Sequence, residues 1–171
     1  LATRQNSVKL GTDGVSVILL VGALMPVGLH PDGDLNPILN SPWFAFHILV
    51  SFGGYACFTV GLVWSIAFLR DRLLDFNPLV RHRLAISGLL LLGTGILTGA
   101  MWADSSWGTY WGWDPKESWA LLTWTLVMAG LHLAGAKSRR WLAVLGFGLV
   151  FAAMMFTFIG INLLKWGLHR Y

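Results

Sequence analysis

The side chains in this sequence with the most chemistry available to them are its histidines and a crowd of tryptophans. Five imidazoles stand at positions 30, 47, 82, 132 and 169, and imidazole is a good ligand for iron, copper or zinc. Six of the ten tryptophans fall in one segment, W-A-D-S-S-W-G-T-Y-W-G-W-D-P-K-E-S-W-A-L-L-T-W, from Trp102 to Trp124. An indole is an apolar plate with one N–H, so it can cover a flat ligand or line a membrane–water boundary. A boundary belt spreads its aromatics over several helix ends. Gathering six in one segment favours a platform for a large flat ligand. The sequence offers no carboxylate pair, no Ser/His/Asp arrangement, no phosphate-cradling loop and no cysteine-rich metal site. Asp114 and Glu117, three apart, read as a helix cap and as acceptors for indole N–H groups.

The elements that position these residues follow from hydropathy. The chain has 171 residues, 56% hydrophobic and 12% charged, and a soluble domain would carry about twice that charge. Its mean hydropathy is +0.64. Apolar runs approach the length needed to cross a bilayer as helix. The fold expected is therefore all-α: a polytopic integral membrane protein of about five transmembrane helices with an external Trp-rich loop. The spans fall at 15–29, 43–69, 84–101, 118–135 and 141–164. The aromatic stretch lacks a helical period until Ser118, so it reads as a loop feeding a helix that opens at Asp114-Pro115. Gly53, Cys57 and Gly61, and likewise Gly95, Gly99 and Ala103, recur four apart and read as helix–helix contact faces. With Leu1 in place of Met, the start of the protein is expected to be missing.

Sidedness follows from the cations. Segments 1–12, 70–83 and 136–140 together hold nine Lys and Arg, against three (Lys116, Lys165 and Arg170) on the other side. The richer side is cytoplasmic by the positive-inside rule. The net charge of +4 thus reports loop composition and gives no reason to expect nucleic acid as a partner; the lipid bilayer is the partner it implies.

This topology sorts the histidines by depth. His82 lies in an inner R-H-R and His30 in an outer loop, both read as plain polar positions. His47 is about 6–8 Å below Pro42 at helical rise. His169 follows the fifth span on the same outer side. Two imidazoles and an aromatic wall at one level suit a bis-histidine haem, with Lys165 or Arg170 meeting propionates. Two ordinary polar groups at helix interfaces account for the same spacing. His132 is about 21 Å below Ser118, in the inner half of the membrane, where a histidine is costly unless paired. Its partner is expected from another helix, another subunit or a ligand. With one cysteine and no C-x-x-C-H, the chain has neither an internal disulfide nor the usual motif for covalent c-type haem.

The run W-G-T-Y-W-G-W-D-P-K-E-S-W-A-L-L-T-W resembles the tryptophan-rich "WWD" signature of haem-handling proteins of cytochrome c maturation. Of the CcmC, CcmF and CcsA (ResC) types, it is most similar to the CcsA type. P-W-F-A-F-H and N-L-L-K-W-G-L-H-R-Y carry the same resemblance, which covers roughly residues 40–171. It divides the chain into an N-terminal segment, 1–41, with a first span and an external loop, and a haem-handling unit, 42–171, with the motif at 102–124.

The resemblance implies that His47 and His169 ligate iron at the outer face. It also implies that His132 holds haem in transit, paired with a histidine of a partner subunit. Trp107, Trp111, Trp113, Asp114 and Trp119 become the remaining cofactor-binding candidates, and no residue is assigned a catalytic role. The implied cofactor is haem b, held non-covalently on its way to apocytochrome c. The implied partners are that substrate and a CcsB/ResB-type membrane subunit. This chain would then be the haem-presenting subunit of a cytochrome c haem lyase, in a bacterial plasma membrane or thylakoid membrane, with loop and C-terminus periplasmic or lumenal. The alternatives are a CcmC-like transporter passing haem to a chaperone, and a structural subunit docking a partner through the aromatic loop.

Overall fold

The computed structural model describes residues 41–70, 78–133, 140–165 and 167, and among these there is no strand. Helix α1 spans Pro42–Arg70, α2 Pro78–Trp107, α3 Pro115–Leu133 and α4 Arg140–Met155. Helix α4 continues through a π-helical turn, Phe156–Gly160, into a last turn, Ile161–Leu163. A proline opens each of the first three helices. Its missing N–H costs nothing there, and its fixed φ suits the first turn.

Among the described residues three helices are long and apolar enough to cross a membrane: Pro42–Arg70, Leu79–Trp107 and Trp141–Leu163, with mean hydropathies of 1.7, 1.9 and 2.4. The all-α membrane architecture expected from the sequence is thus present, with a different helix count. The expected first span lies outside the described residues. The fourth forms as α3, described over 19 residues with Glu117 in its first turn, and is not one of these three. Helix α2 also runs past the expected end at Met101 to Trp107. The non-helical aromatic loop is therefore only residues 108–114, because W-A-D-S-S-W still closes helical turns where its aromatics had suggested a loop.

Helices α1 and α2 make the largest interface, α1 also packs on α4, and α3 packs on α4 and α2. The core is Tyr55, Phe58, Leu92, Val127, Phe147, Val150 and Met154. Glycines set how closely the helices approach. A Cβ on Gly54 would stand 3.0 Å from the Leu92 nitrogen and 3.1 Å from the Gly88 carbonyl oxygen, so α1 and α2 touch backbone to backbone. A Cβ on Gly88 would fall inside the Phe58 ring, and one on Gly61 inside the Phe147 ring. Of the expected contact positions, Gly95 meets Ser51 and Gly99 meets His47. Buried Thr59, Ser65, Thr98, Thr123 and Thr157 donate to the carbonyl four residues back, which satisfies each hydroxyl without water.

Candidate functional site

The antiparallel packing brings four pieces to one end of the bundle: the start of α1, the end of α2, the start of α3 and the end of α4. The loop 108–114 crosses that end. Asp114 caps α3 as expected: its Oδ1 accepts the Lys116 N–H at 3.0 Å, and its carbonyl accepts the Ser118 N–H at 2.9 Å. Glu117 closes the box from the other side. Its Oε2 accepts the Gly112 N–H at 2.9 Å and the Asp114 N–H at 3.0 Å, so it binds backbone where indole donors had been expected. Together the two carboxylates fix the loop to the helix it feeds. Burial pushes the Lys116 ammonium below its usual pKa, and the neighbouring Asp114 carboxylate partly offsets this.

His47, in the second turn of α1, is held across the α1–α2 interface. Its Nδ1 lies 2.7 Å from the Gly95 carbonyl oxygen. A carbonyl can only accept, so Nδ1 carries the proton and donates it. Nε2 is then the nitrogen with a lone pair. A Cβ on Gly99 would stand 2.7 Å from Nδ1 and 2.8 Å from Cε1, so the ring lies against bare backbone. Trp102 follows one turn on, nearly parallel to the imidazole, with an interplanar angle of 14° and ring centroids 6.5 Å apart. Among the described residues no buried side-chain nitrogen or oxygen lacks a partner. Among the described residues this ring's hydrogen-bond partner is the Gly95 carbonyl, engaged through Nδ1.

The tryptophans divide by depth. Trp102 is 1% exposed and sits between Phe44, with centroids 4.9 Å apart, and Trp107, at 4.8 Å. Trp124 donates its Nε1–H to the Leu89 carbonyl at 3.1 Å and packs over Gly93. Both are packing residues. Trp119 packs on Phe156 with centroids 4.3 Å apart. Trp111 and Trp113 meet edge to face at 5.7 Å. Trp113 is 70% exposed and Tyr110 61%, so these two rings are the loop's open apolar surface. Trp113 also holds φ at +55°, a left-handed backbone that costs a non-glycine residue about 1–2 kcal/mol. Of the candidate tryptophans, Trp111 and Trp113 share the loop, Trp107 backs onto the buried Trp102, and Trp119 faces α4.

The end of α4 meets this loop. Ile161 N–H bonds back to the Phe156 carbonyl, closing the π turn, and Lys165 N–H donates to the Asn162 carbonyl at 3.1 Å. Lys165 and Gly167 take positive φ, +50° and +97°, and turn the chain onto the start of α3. A Cβ on Gly167 would overlap Asp114 Oδ2 and stand 2.9 Å from its Cγ. His169, His30 and Arg170 lie outside the described residues.

His132 is at the opposite end, in the last turn of α3. It is exposed, and its Nδ1–H donates to the Met128 carbonyl at 2.8 Å. The expectation that its partner must come from outside its helix is corrected for this nitrogen, while Nε2 keeps a lone pair. Sequence reading did not single out Gly95, Gly99, Tyr110, Phe156 or Gly167 as parts of the site. The four-residue spacing of Gly95 and Gly99 pointed to a helix contact without saying what it touched.

The fold and this end of the bundle define an all-α membrane protein with a capped aromatic loop beside a tautomer-fixed histidine. The chain belongs to the cytochrome c assembly protein family, whose model matches residues 4–169. It is 34% identical over 164 residues to the cytochrome c biogenesis protein CcsA of Chlamydomonas reinhardtii, covering 86% of this chain and 45% of that one. A cytochrome c biogenesis protein CcsA from Synechococcus sp. (strain CC9605) is 32% identical over 198 residues, 92% of this chain and 64% of that protein. One from Mesostigma viride is 30% identical over 207 residues, 95% of this chain and 67% of that protein. The chain thus spans between about half and two thirds of the length of these relatives.

Proposed function

We propose that this chain binds haem b non-covalently at the end of the bundle that carries loop 108–114, and presents it for covalent attachment to apocytochrome c. The observation that carries the reading is His47: its Nδ1–H is taken by Gly95, which orients the ring and leaves Nε2 as an iron ligand. His169 would supply a second nitrogen to the iron. Trp111 and Trp113 cover the porphyrin, while Trp107 and Trp119 back the wall from α2 and α3. Bound haem would supply the vinyl groups that react with substrate thiols. The chain's own part is to hold, orient and shield, with no catalytic side chain of its own.

The loop end faces the periplasm or lumen, because Arg70, Arg81 and Arg83 stand at the other end of α1 and α2. At that inner end His132 Nε2 serves a second site, completed by a histidine of a CcsB/ResB-type subunit. The test is a visible spectrum of the purified protein, oxidised and reduced. A symmetric low-spin six-coordinate haem is expected. Absence of haem from protein made with adequate haem supply leaves the structural-subunit reading instead.

A further inference from the structure

Asp114 does more than cap a helix. Capping uses one oxygen, Oδ1, on the Lys116 N–H, and Asp114 as a residue is only 5% exposed. Its other face is covered by Gly167, 53 residues on. The point where a Gly167 Cβ would stand overlaps Oδ2 and is 2.9 Å from Cγ and 3.0 Å from Oδ1. The flat carboxylate therefore lies against the glycine backbone. No other residue type suits this position. A side chain has no room there, and φ at +97° is left-handed backbone that glycine adopts without cost.

Two positive-φ residues, Lys165 and Gly167, follow the last turn of α4, and at the second of them the chain meets Asp114. The buried carboxylate is what it meets.

We propose that Asp114 is a positioning residue. It latches the chain at Gly167 onto the first turn of α3, and so limits the reach of His169, two residues further along in the sequence. The inference rests on the haem-ligand reading above for its functional half. It moves Asp114 from the porphyrin contacts to the scaffold behind an axial ligand. The latch ties together the two sequence blocks, the aromatic motif and the tail, that the site requires.

The test uses the full-length protein in membranes with Cys57→Ser as background and a reporter thiol introduced by Leu168→Cys. Asp114→Ser keeps an N-cap oxygen but withdraws the part that meets Gly167. Gly167→Ala leaves the cap intact and fills the contact from the other side. Asp114→Asn preserves both shape and cap. Labelling by an impermeant maleimide should accelerate at least about fivefold in the Ser and Ala variants, through local opening, and less than about twofold in the Asn variant. Helix content by circular dichroism should stay the same in all three. In the haem spectrum, Ser and Ala should lose the six-coordinate signature and regain it with added imidazole, as His169→Gly should.

Unchanged labelling in both the Ser and Ala variants overturns the latch. Faster labelling with an unaltered haem spectrum overturns the positioning role. Faster labelling in a protein that binds no haem even as wild type supports the latch and sinks the haem reading, so the two failures are distinct.

Discussion

The His47 imidazole donates Nδ1–H to the Gly95 carbonyl of the neighbouring helix at 2.7 Å. One bond thereby fixes tautomer, ring plane and the direction of the remaining lone pair. It forms because α2 shows no side chain at positions 95 and 99, so the ring reaches the backbone itself.

Gly99→Ala places a methyl carbon 2.7 Å from His47 Nδ1. The ring or the helix pair must shift, at about 1–3 kcal/mol for overpacking. Gly112→Ala has open space around the new Cβ and should stay within about 0.5 kcal/mol. Thermal unfolding in detergent, with the haem spectrum alongside, checks both. Equal melting points for the two variants would rule out the close fit at His47.

Replacing an axial ligand should be reversible by chemistry. His47→Gly and His169→Gly each open one coordination position, so haem retention falls and added imidazole restores a six-coordinate spectrum. His30→Gly should change little. If imidazole rescues His30→Gly and neither of the others, the ligand pair is misassigned.

Glu117→Ala removes the acceptor shared by the Gly112 and Asp114 N–H groups. The loss should be about 1 kcal/mol, as for a helix cap. Hydrogen exchange at those two amides is the direct measurement and should speed up, with the α3 interior unchanged. Exchange that slows or stays constant would show that the loop is held from elsewhere.

His132→Ala should lower the yield of haem-loaded protein while leaving the spectrum of the remaining haem unaltered, since His132 lies at the far end of α3 from His47. A changed axial signature in that residue of haem would argue for one site rather than two.

Impermeant thiol labelling at Ser106→Cys and Tyr171→Cys addresses sidedness. Both should react from the periplasmic or lumenal face. Reaction of only one would overturn the proposed orientation.

Membrane class, the helix start at Asp114-Pro115 and the contact glycines Gly95 and Gly99 were legible in the sequence, because each rests on local rules of hydropathy, capping and spacing. The end of α2 was not. The run W-A-D-S-S-W has weak helical periodicity, yet burial of Trp102 between Phe44 and Trp107 carries the helix on to Trp107. The aromatic count also misled about exposure. Trp102 and Trp124 spend their indoles on packing, and Tyr110 and Trp113 are the rings turned outward. Such sorting depends on tertiary neighbours, as does the meeting of Gly167 with Asp114, which no spacing within one segment can announce.

The π turn at Phe156–Gly160 makes the length of the last helix a variable in its own right. Each residue turns an α-helix by about 100°, so the extra residue resets the phase between the part of α4 packed on α1 and the part leading to Lys165 and Gly167. Removing one residue there would leave His47 and loop 108–114 in place and swing the chain beyond the turn about the helix axis by roughly that angle. Insertions and deletions between 156 and 160 are therefore functional changes, whatever the residue involved.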